Sequence, residues 1–316
     1  MLHLSQLIIR NDMKVLSANG SPLPKLAIRS RTLAPEVLAN LDEHSIPHPS
    51  TRIGGMFWNL THLMHETLTA LQLAGLDSRQ IARRKRSVLN NVELMMHWAA
   101  ALNEYLGRLL QRSLPSSGKK SKFAQAAKER LDARIKQLFK MPINLVKHDS
   151  FGLSWIEMKQ GEISTHGYFV TGPIGKGAFG PAKFKPRIAG SPEGYSFALI
   201  LREAFVVPFE MSDIAEIALN NADLFTGEIV AEAPRHISQE YLPETLTLLN
   251  NLPLLGFPEE KGLRVPIFDL LDGSITVTTA PLRLSSGTFR ITSELPPVRK
   301  GGTYKLPYFG RQDSPR

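Results

Sequence analysis

The chain has 316 residues, of which 42% are hydrophobic, 21% are charged and none is cysteine. A chain of this length buries a large core unaided, and the lack of cysteine excludes disulfides, thiolate metal sites and cysteine nucleophiles. No apolar run approaches the roughly 18 residues of a membrane helix, and the first residues lack a secretory signal. We therefore predict a soluble, cytoplasmic protein of about two domains.

The first 50 residues are predicted to form an irregular and extended segment. Residues 4–10 read as a short strand, and the glycine and prolines that follow Asn19 indicate a turn. A short helix is predicted over 33–41. Pro47 and Pro49 indicate that regular structure ends before them.

Two long helices are predicted next, from apolar residues spaced three and four apart. The first covers residues 51–74, and Gly75 then indicates a helix end before a new helix cap. The second carries the clearest pattern in the sequence, an apolar seam over 88–109 in steps of four and three. This periodicity predicts a helix of some 30 residues that ends near Arg112.

A third helix is predicted over 123–139, with Pro142 as its end. Because short turns join the three helices, we predict an antiparallel helical bundle over residues 51–142.

An α+β domain is predicted over 143–295, with a mainly antiparallel sheet, and residues 296–316 are predicted to be a mobile tail. An amphipathic helix is predicted from Met211 with Ser212 as its cap, and another over 238–252. Aromatic and β-branched stretches separated by glycine and proline predict strands over 151–158, 163–170, 195–207, 263–268, 274–279 and 287–292.

The positive charge of the chain is concentrated in the predicted bundle. The net charge is +9, and residues 78–140 hold 15 Lys and Arg against four acids, so the remainder of the chain is slightly negative. Clustering of this kind creates a field that attracts anionic partners. The sequence therefore predicts an acidic partner, either nucleic acid or an acidic protein surface.

A second basic segment follows a glycine-rich string, 174–180, which is similar to the phosphate-binding loop of protein kinases. The chain lacks the catalytic His-Arg-Asp loop and the Asp-Phe-Gly metal ligand of that family, so we interpret the string as a basic loop. Together the two segments supply the residues predicted to contact phosphates: Arg79, Arg83, Arg84, Lys85, Arg86, Lys119, Lys120, Lys122, Lys176, Lys183 and Lys185.

Residues 75–92 also resemble part of a helix-turn-helix DNA-binding unit. That unit needs a small or apolar residue and a turn glycine where this chain has Lys85 and Arg86. A continuous helix that displays the basic residues explains the string better.

Histidines provide weak candidates for chemistry. Lys147 and His148 stand near a predicted helix end, and small helical ribonucleases of the HEPN class place a histidine at a helix end in a bundle of this general shape. The Arg-x(4–6)-His spacing of that class is missing, because Arg134 lies 14 residues before His148. His62 is a further acid–base candidate, and it shares a helix face with His65, so the pair could clasp a metal ion.

The leading interpretation is a non-enzymatic nucleic-acid-associated protein that uses no cofactor and contacts phosphates through its basic bundle. One alternative is a HEPN-like, metal-independent ribonuclease of toxin or defence type. Another is a structural or assembly subunit that docks on an acidic protein partner, within an oligomer or complex.

Overall fold

The structure is a computed structural model that describes residues 13–114, 118–148, 151–160, 163–175, 178–182, 193–227, 240–284, 290–293 and 303–304. Helices precede and follow antiparallel strands, so the predicted α+β class is confirmed. None of the helices in these ranges is long and apolar enough to cross a bilayer. The predicted strand over 4–10 lies outside the described residues, as does most of the predicted tail.

The described residues contain eight α-helices, and the four predicted in the N-terminal half, including the short one over 33–41, are confirmed with shifts of a few residues at their ends. The helices are α1 (Lys25–Arg29), α2 (Pro35–Glu43), α3 (Pro49–Ala70), α4 (Ser78–Ser113), α5 (Lys119–Ile135), α6 (Met141–His148), α7 (Phe197–Asn220) and α8 (Leu242–Asn251).

The third predicted helix does not end at Pro142. The chain leaves α5 through one π-helical turn, Lys136–Lys140, and then continues as α6 with Pro142 in its first turn. A proline is tolerated in that position, because the first N–H groups of a helix have no intrahelical acceptor. Lys147 and His148 therefore lie at the end of a further helix.

The predicted strand over 195–207 is wrong, since only Tyr195–Ser196 is extended and the helix α7 follows at once. The Ser196 hydroxyl caps α7 by accepting from the N–H of Leu199 at 3.1 Å. Ser212, the predicted cap, lies inside the helix, where its hydroxyl accepts from the N–H of Leu26 at 2.9 Å. A helix that is apolar on all sides has no amphipathic period, so its residues resemble a buried strand.

The strands form two sheets. Strands β1 (Lys14–Val15), β7 (Ser274–Pro281) and β6 (Arg264–Leu271) make a three-stranded antiparallel sheet in that order. The larger sheet has the order β8-β2-β3-β4-β9, and β5 pairs with β3. Its members are β2 (Gly152–Gln160), β3 (Ile163–Gly175), β4 (Ala178–Pro181), β5 (Tyr195–Ser196), β8 (Arg290–Ser293) and β9 (Thr303–Tyr304).

The core lies around α7. One continuous cluster of buried side chains runs from Leu16 to Leu282 and includes the seams of α3, α4, α5 and α7 together with Trp155 and Tyr168 of the larger sheet. A smaller cluster on the other face of that sheet contains Ile156 and Phe169, as the two-residue period of a strand requires. The domain boundaries at residues 50, 142 and 295 remain a prediction.

A fully buried carboxylate fixes the start of α7. Glu260 accepts from the backbone N–H of Ser196 and from that of Phe257, each at 2.8 Å. Burial raises the pKa of Glu260 to about 7, although these two hydrogen bonds favour the ionised form.

We therefore expect Glu260 to make folding stability fall as pH rises. The folded state holds the Glu260 proton up to about pH 7 whereas the unfolded chain loses it near 4.5, so the protein is destabilised across this window, by about 3 kcal/mol in all. Urea unfolding of the wild type and of Glu260→Gln should show a stability difference that changes by that amount between pH 4 and pH 8. The histidines titrate alike in both proteins, so a difference independent of pH would contradict the expectation.

Candidate nucleic-acid interface

The helix α4 begins at a well-defined cap next to the basic cluster. Gly75 adopts a positive φ of 77°, which frees the chain to turn after α3. Asp77 then accepts from the N–H of Gln80 at 2.8 Å, and the Gln80 side chain accepts from the N–H of Asp77 at 3.0 Å. From Ser78 the helix runs without a break to Ser113, so the turn of a helix-turn-helix unit is absent from it.

The helices α3 and α4 run antiparallel, as predicted for the bundle. Near the end of α4, the Tyr105 hydroxyl donates to the carbonyl of Pro47, just before α3 begins. Near the start of α4, the Arg84 guanidinium reaches the last turn of α3. The basic cluster therefore stands beside the carboxyl end of α3.

The five residues of the cluster divide into two groups. Arg79, Arg83 and Arg86 are exposed, and their spacings of four and three place them on one face of α4. None of the three forms an ion pair with a residue that the structure describes. We call these three side chains the arginine face.

Arg84 and Lys85 are partly buried and face the rest of the protein. Arg84 donates to the carbonyls of Gln72 at 2.8 Å and Thr69 at 3.2 Å, which satisfies two acceptors at the negative end of α3. Lys85 places its ammonium 5.2 Å from the centre of the Trp155 ring, a cation–π contact that joins α4 to β2. The sequence could not separate these two residues from the arginine face, because their neighbours become known only from the fold.

Arg79 stands in the first turn of α4, where the partial positive charge of the helix dipole lies, and Arg83 and Arg86 follow in the next two turns. The first turn holds no acidic residue, and the Asp77 carboxylate caps it. A cation in the first turn of a helix is unfavourable by roughly 0.3–1 kcal/mol, which applies in the arginine face to Arg79. The arginine face thus presents three positive charges on one exposed side of the helix.

A histidine–carboxylate pair, which sequence reasoning missed, lies beneath Lys85. His166 and Glu157 are cross-strand partners on β3 and β2, with Nε2 and Oε1 3.5 Å apart, and the His166 ring packs 5.3 Å from Trp155. Burial lowers the pKa of His166, although Glu157 opposes the shift. Both residues lie in predicted strands, 151–158 and 163–170, but only the register of the sheet shows that they are partners.

The other predicted phosphate contacts are not brought to the arginine face. Lys122 is exposed near the start of α5, which follows the end of α4 by a few residues and so lies roughly 40 Å along the helix from Arg86. Three of the lysines, Lys176, Lys183 and Lys185, fall outside the described residues, as do the side chains of Lys119 and Lys120. The described residues of the glycine-rich string, 174–175 and 178–180, belong to the antiparallel strands β3 and β4.

The predicted catalytic and metal residues lie in separate surroundings. His62 and His65 pack against the Tyr241 ring just before α8, with ring centres 5.6 and 5.1 Å apart. Lys147 is exposed on α6 and lies near His97 of α4, whose pKa is lowered by burial and by this ammonium. The side chain of His148 is outside the described residues.

No group of three or more His, Asp or Glu side chains is placed to hold a metal ion in the described ranges. The contacts of His62 and His65 with Tyr241 give both residues a packing role between α3 and α8.

Comparisons with known proteins add no relative. The chain matches no protein-family model, and no curated protein or solved structure is found to be similar to it.

Neighbouring arginines should differ sharply in their effect on stability. Arg84→Ala removes two hydrogen bonds to the end of α3 and should lower the free energy of unfolding by about 1 kcal/mol. Arg83→Ala, the matched control one residue earlier, should change it by less than about 0.5 kcal/mol, because its side chain is exposed. Urea denaturation at moderate salt measures both, and equal losses would contradict the division of the cluster.

Proposed function

We propose that this protein binds nucleic acid through the phosphate backbone, with Arg79, Arg83 and Arg86 as the central contacts. The proposal rests on one observation: three exposed arginines share a face in the first three turns of α4, without an ion-pair partner among the described residues. Arginine suits this role because its planar guanidinium donates two parallel hydrogen bonds to a phosphate.

The expected binding is electrostatic and carries little sequence preference. Side chains that neutralise phosphates release condensed counterions, so affinity falls steeply as salt rises. The arginine face spans about 10 Å along α4, the length of two turns, which matches a few successive phosphates of one strand. The non-enzymatic character and the cytoplasmic location of the protein belong to the same proposal.

A charge-reversal experiment with a matched control tests the proposal. We expect Arg79→Glu/Arg83→Glu/Arg86→Glu to abolish binding of a fluorescently labelled 20-nucleotide RNA or DNA at 50 mM KCl. The control, Arg52→Glu/Arg108→Glu/Arg112→Glu, changes the net charge equally at three exposed sites near the opposite end of α4, and we expect it to retain most of the affinity.

Salt titration gives a second readout on folded protein. Replacing the three arginines of the face by glutamine should reduce the slope of log K against log salt by about 3 for a duplex, in line with the loss of three phosphate contacts. Fluorescence anisotropy from 50 to 300 mM KCl measures the slope. Equal losses in both reversal variants would show an effect of net charge alone, and unaltered binding by the first variant would sink the proposal.

The alternative partner is an acidic protein, and two measurements distinguish it from nucleic acid. Protein purified at low salt should show excess absorbance at 260 nm over 280 nm, and the excess should disappear after nuclease treatment. If light scattering instead shows a complex that survives nuclease and depends on the arginine face, the partner is an acidic protein.

A further inference from the structure

A cleft of about 470 Å³ lies between the three-stranded sheet and the helices α5 and α7, away from the arginine face. The register of the sheet puts Lys14 opposite Val277 and Thr279 opposite Pro266, so alternate residues of all three strands line one wall. The opposite wall is formed by α5 and by one face of α7, whose lining residues recur at steps of three and four.

One arginine in the cleft forms ion pairs with two carboxylates. Arg134 of α5 donates through Nη2 to Glu203 at 2.8 Å and through Nε to Glu210, both on α7. Its side chain is nine-tenths buried, and Nη1 has no partner among the described residues. A buried donor without an acceptor is unfavourable by about 1–3 kcal/mol until something accepts its hydrogen bond.

The rim of the cleft carries two further cations. Arg264 donates to the hydroxyl of Thr279 at 2.8 Å and to its carbonyl at 2.9 Å, which holds the guanidinium in place. Lys14 stands two strands away on the same wall. Neither cation forms an ion pair with a residue in the described part of the chain. Counted together, the three cations and two carboxylates that line the cleft carry a net charge of +1.

We propose that this cleft binds a small organic anion whose phosphate or carboxylate group lies between Lys14 and Arg264. Leu16, Val206 and Val277 supply an apolar wall for the remainder of the ligand. The volume falls within the roughly 300–1,000 Å³ typical of small-molecule sites, which combine apolar walls with a few placed polar groups. This site is independent of the nucleic-acid surface, because it uses different residues on different elements.

The test measures binding of two simple oxyanions, inorganic phosphate and citrate, to the full chain by calorimetry and by the thermal midpoint. Potassium chloride at matched ionic strength is the reference. We expect at least one of the two anions to bind, and we expect Lys14→Gln/Arg264→Gln to bind it at least tenfold more weakly. The control Arg52→Gln/Arg108→Gln removes two exposed cations elsewhere and should change the affinity less than twofold.

Two further measurements separate this site from the arginine face and from misfolding. The variant Arg79→Glu/Arg83→Glu/Arg86→Glu should bind the anion as the wild type does, so a failure of nucleic-acid binding leaves this result unaffected. In the wild type, the anion should slow acylation of Lys14 by an amine-reactive ester at least threefold and leave the exposed Lys128 unchanged. No binding beyond the chloride reference, undiminished binding by the Lys14/Arg264 variant, or unprotected Lys14 would each overturn the proposal.

Discussion

The fold depends on covering α7, whose 24 residues are apolar on nearly every side. A helix of this kind is stable in water only when its neighbours exclude solvent all round. Helices α1, α3, α4 and α5 cover parts of it, and strands of both sheets cover others. Its first turn is fixed by the buried Glu260, and the guanidinium of Arg202, fully buried within it, donates to the carbonyls of Ala198 and Leu252. Glu260 and Arg202 thus satisfy backbone N–H and carbonyl groups inside this core.

The helix α4 has a buried apolar face and an exposed basic face, which lie on opposite sides of it. The apolar seam from Val88 to Leu110 packs into the core, whereas the arginine face, which precedes the seam, remains in solvent. Burial of the seam stabilises the helix and offsets the unfavourable position of Arg79 in its first turn. A short or isolated helix with this charge pattern would be marginal, so the bundle is what holds the arginine face in one geometry.

Amphipathic elements could be predicted from the sequence, and fully buried ones could not. The period of three and four residues defined α3 and α4, and alternation with glycine breaks located β2, β3, β6 and β7. The segment over 195–207 has neither period, because nearly all of its residues are buried, and its aromatic and β-branched content then favours a strand. Pro142 predicts a helix end, yet one π turn places it at a helix start, where a proline fits.

A cluster of basic residues in the sequence locates a positively charged region, but it does not tell which of those residues are free to contact an anion. Five basic residues within eight positions predicted an anionic partner, but Arg84 binds the end of α3 and Lys85 covers Trp155, and both contacts join segments distant in sequence. The cleft shows the converse, since Lys14, Arg134 and Arg264 lie in three unrelated stretches and form no cluster in the sequence. A cation that has found a carbonyl, a ring or a carboxylate contributes to the fold, and one without such a partner leaves its field available to a ligand. Among the described residues Arg79, Arg83 and Arg86 meet that criterion and form the proposed nucleic-acid surface. In the proposed anion site Lys14 meets it as well, whereas Arg264 is held in place by the hydroxyl and carbonyl of Thr279.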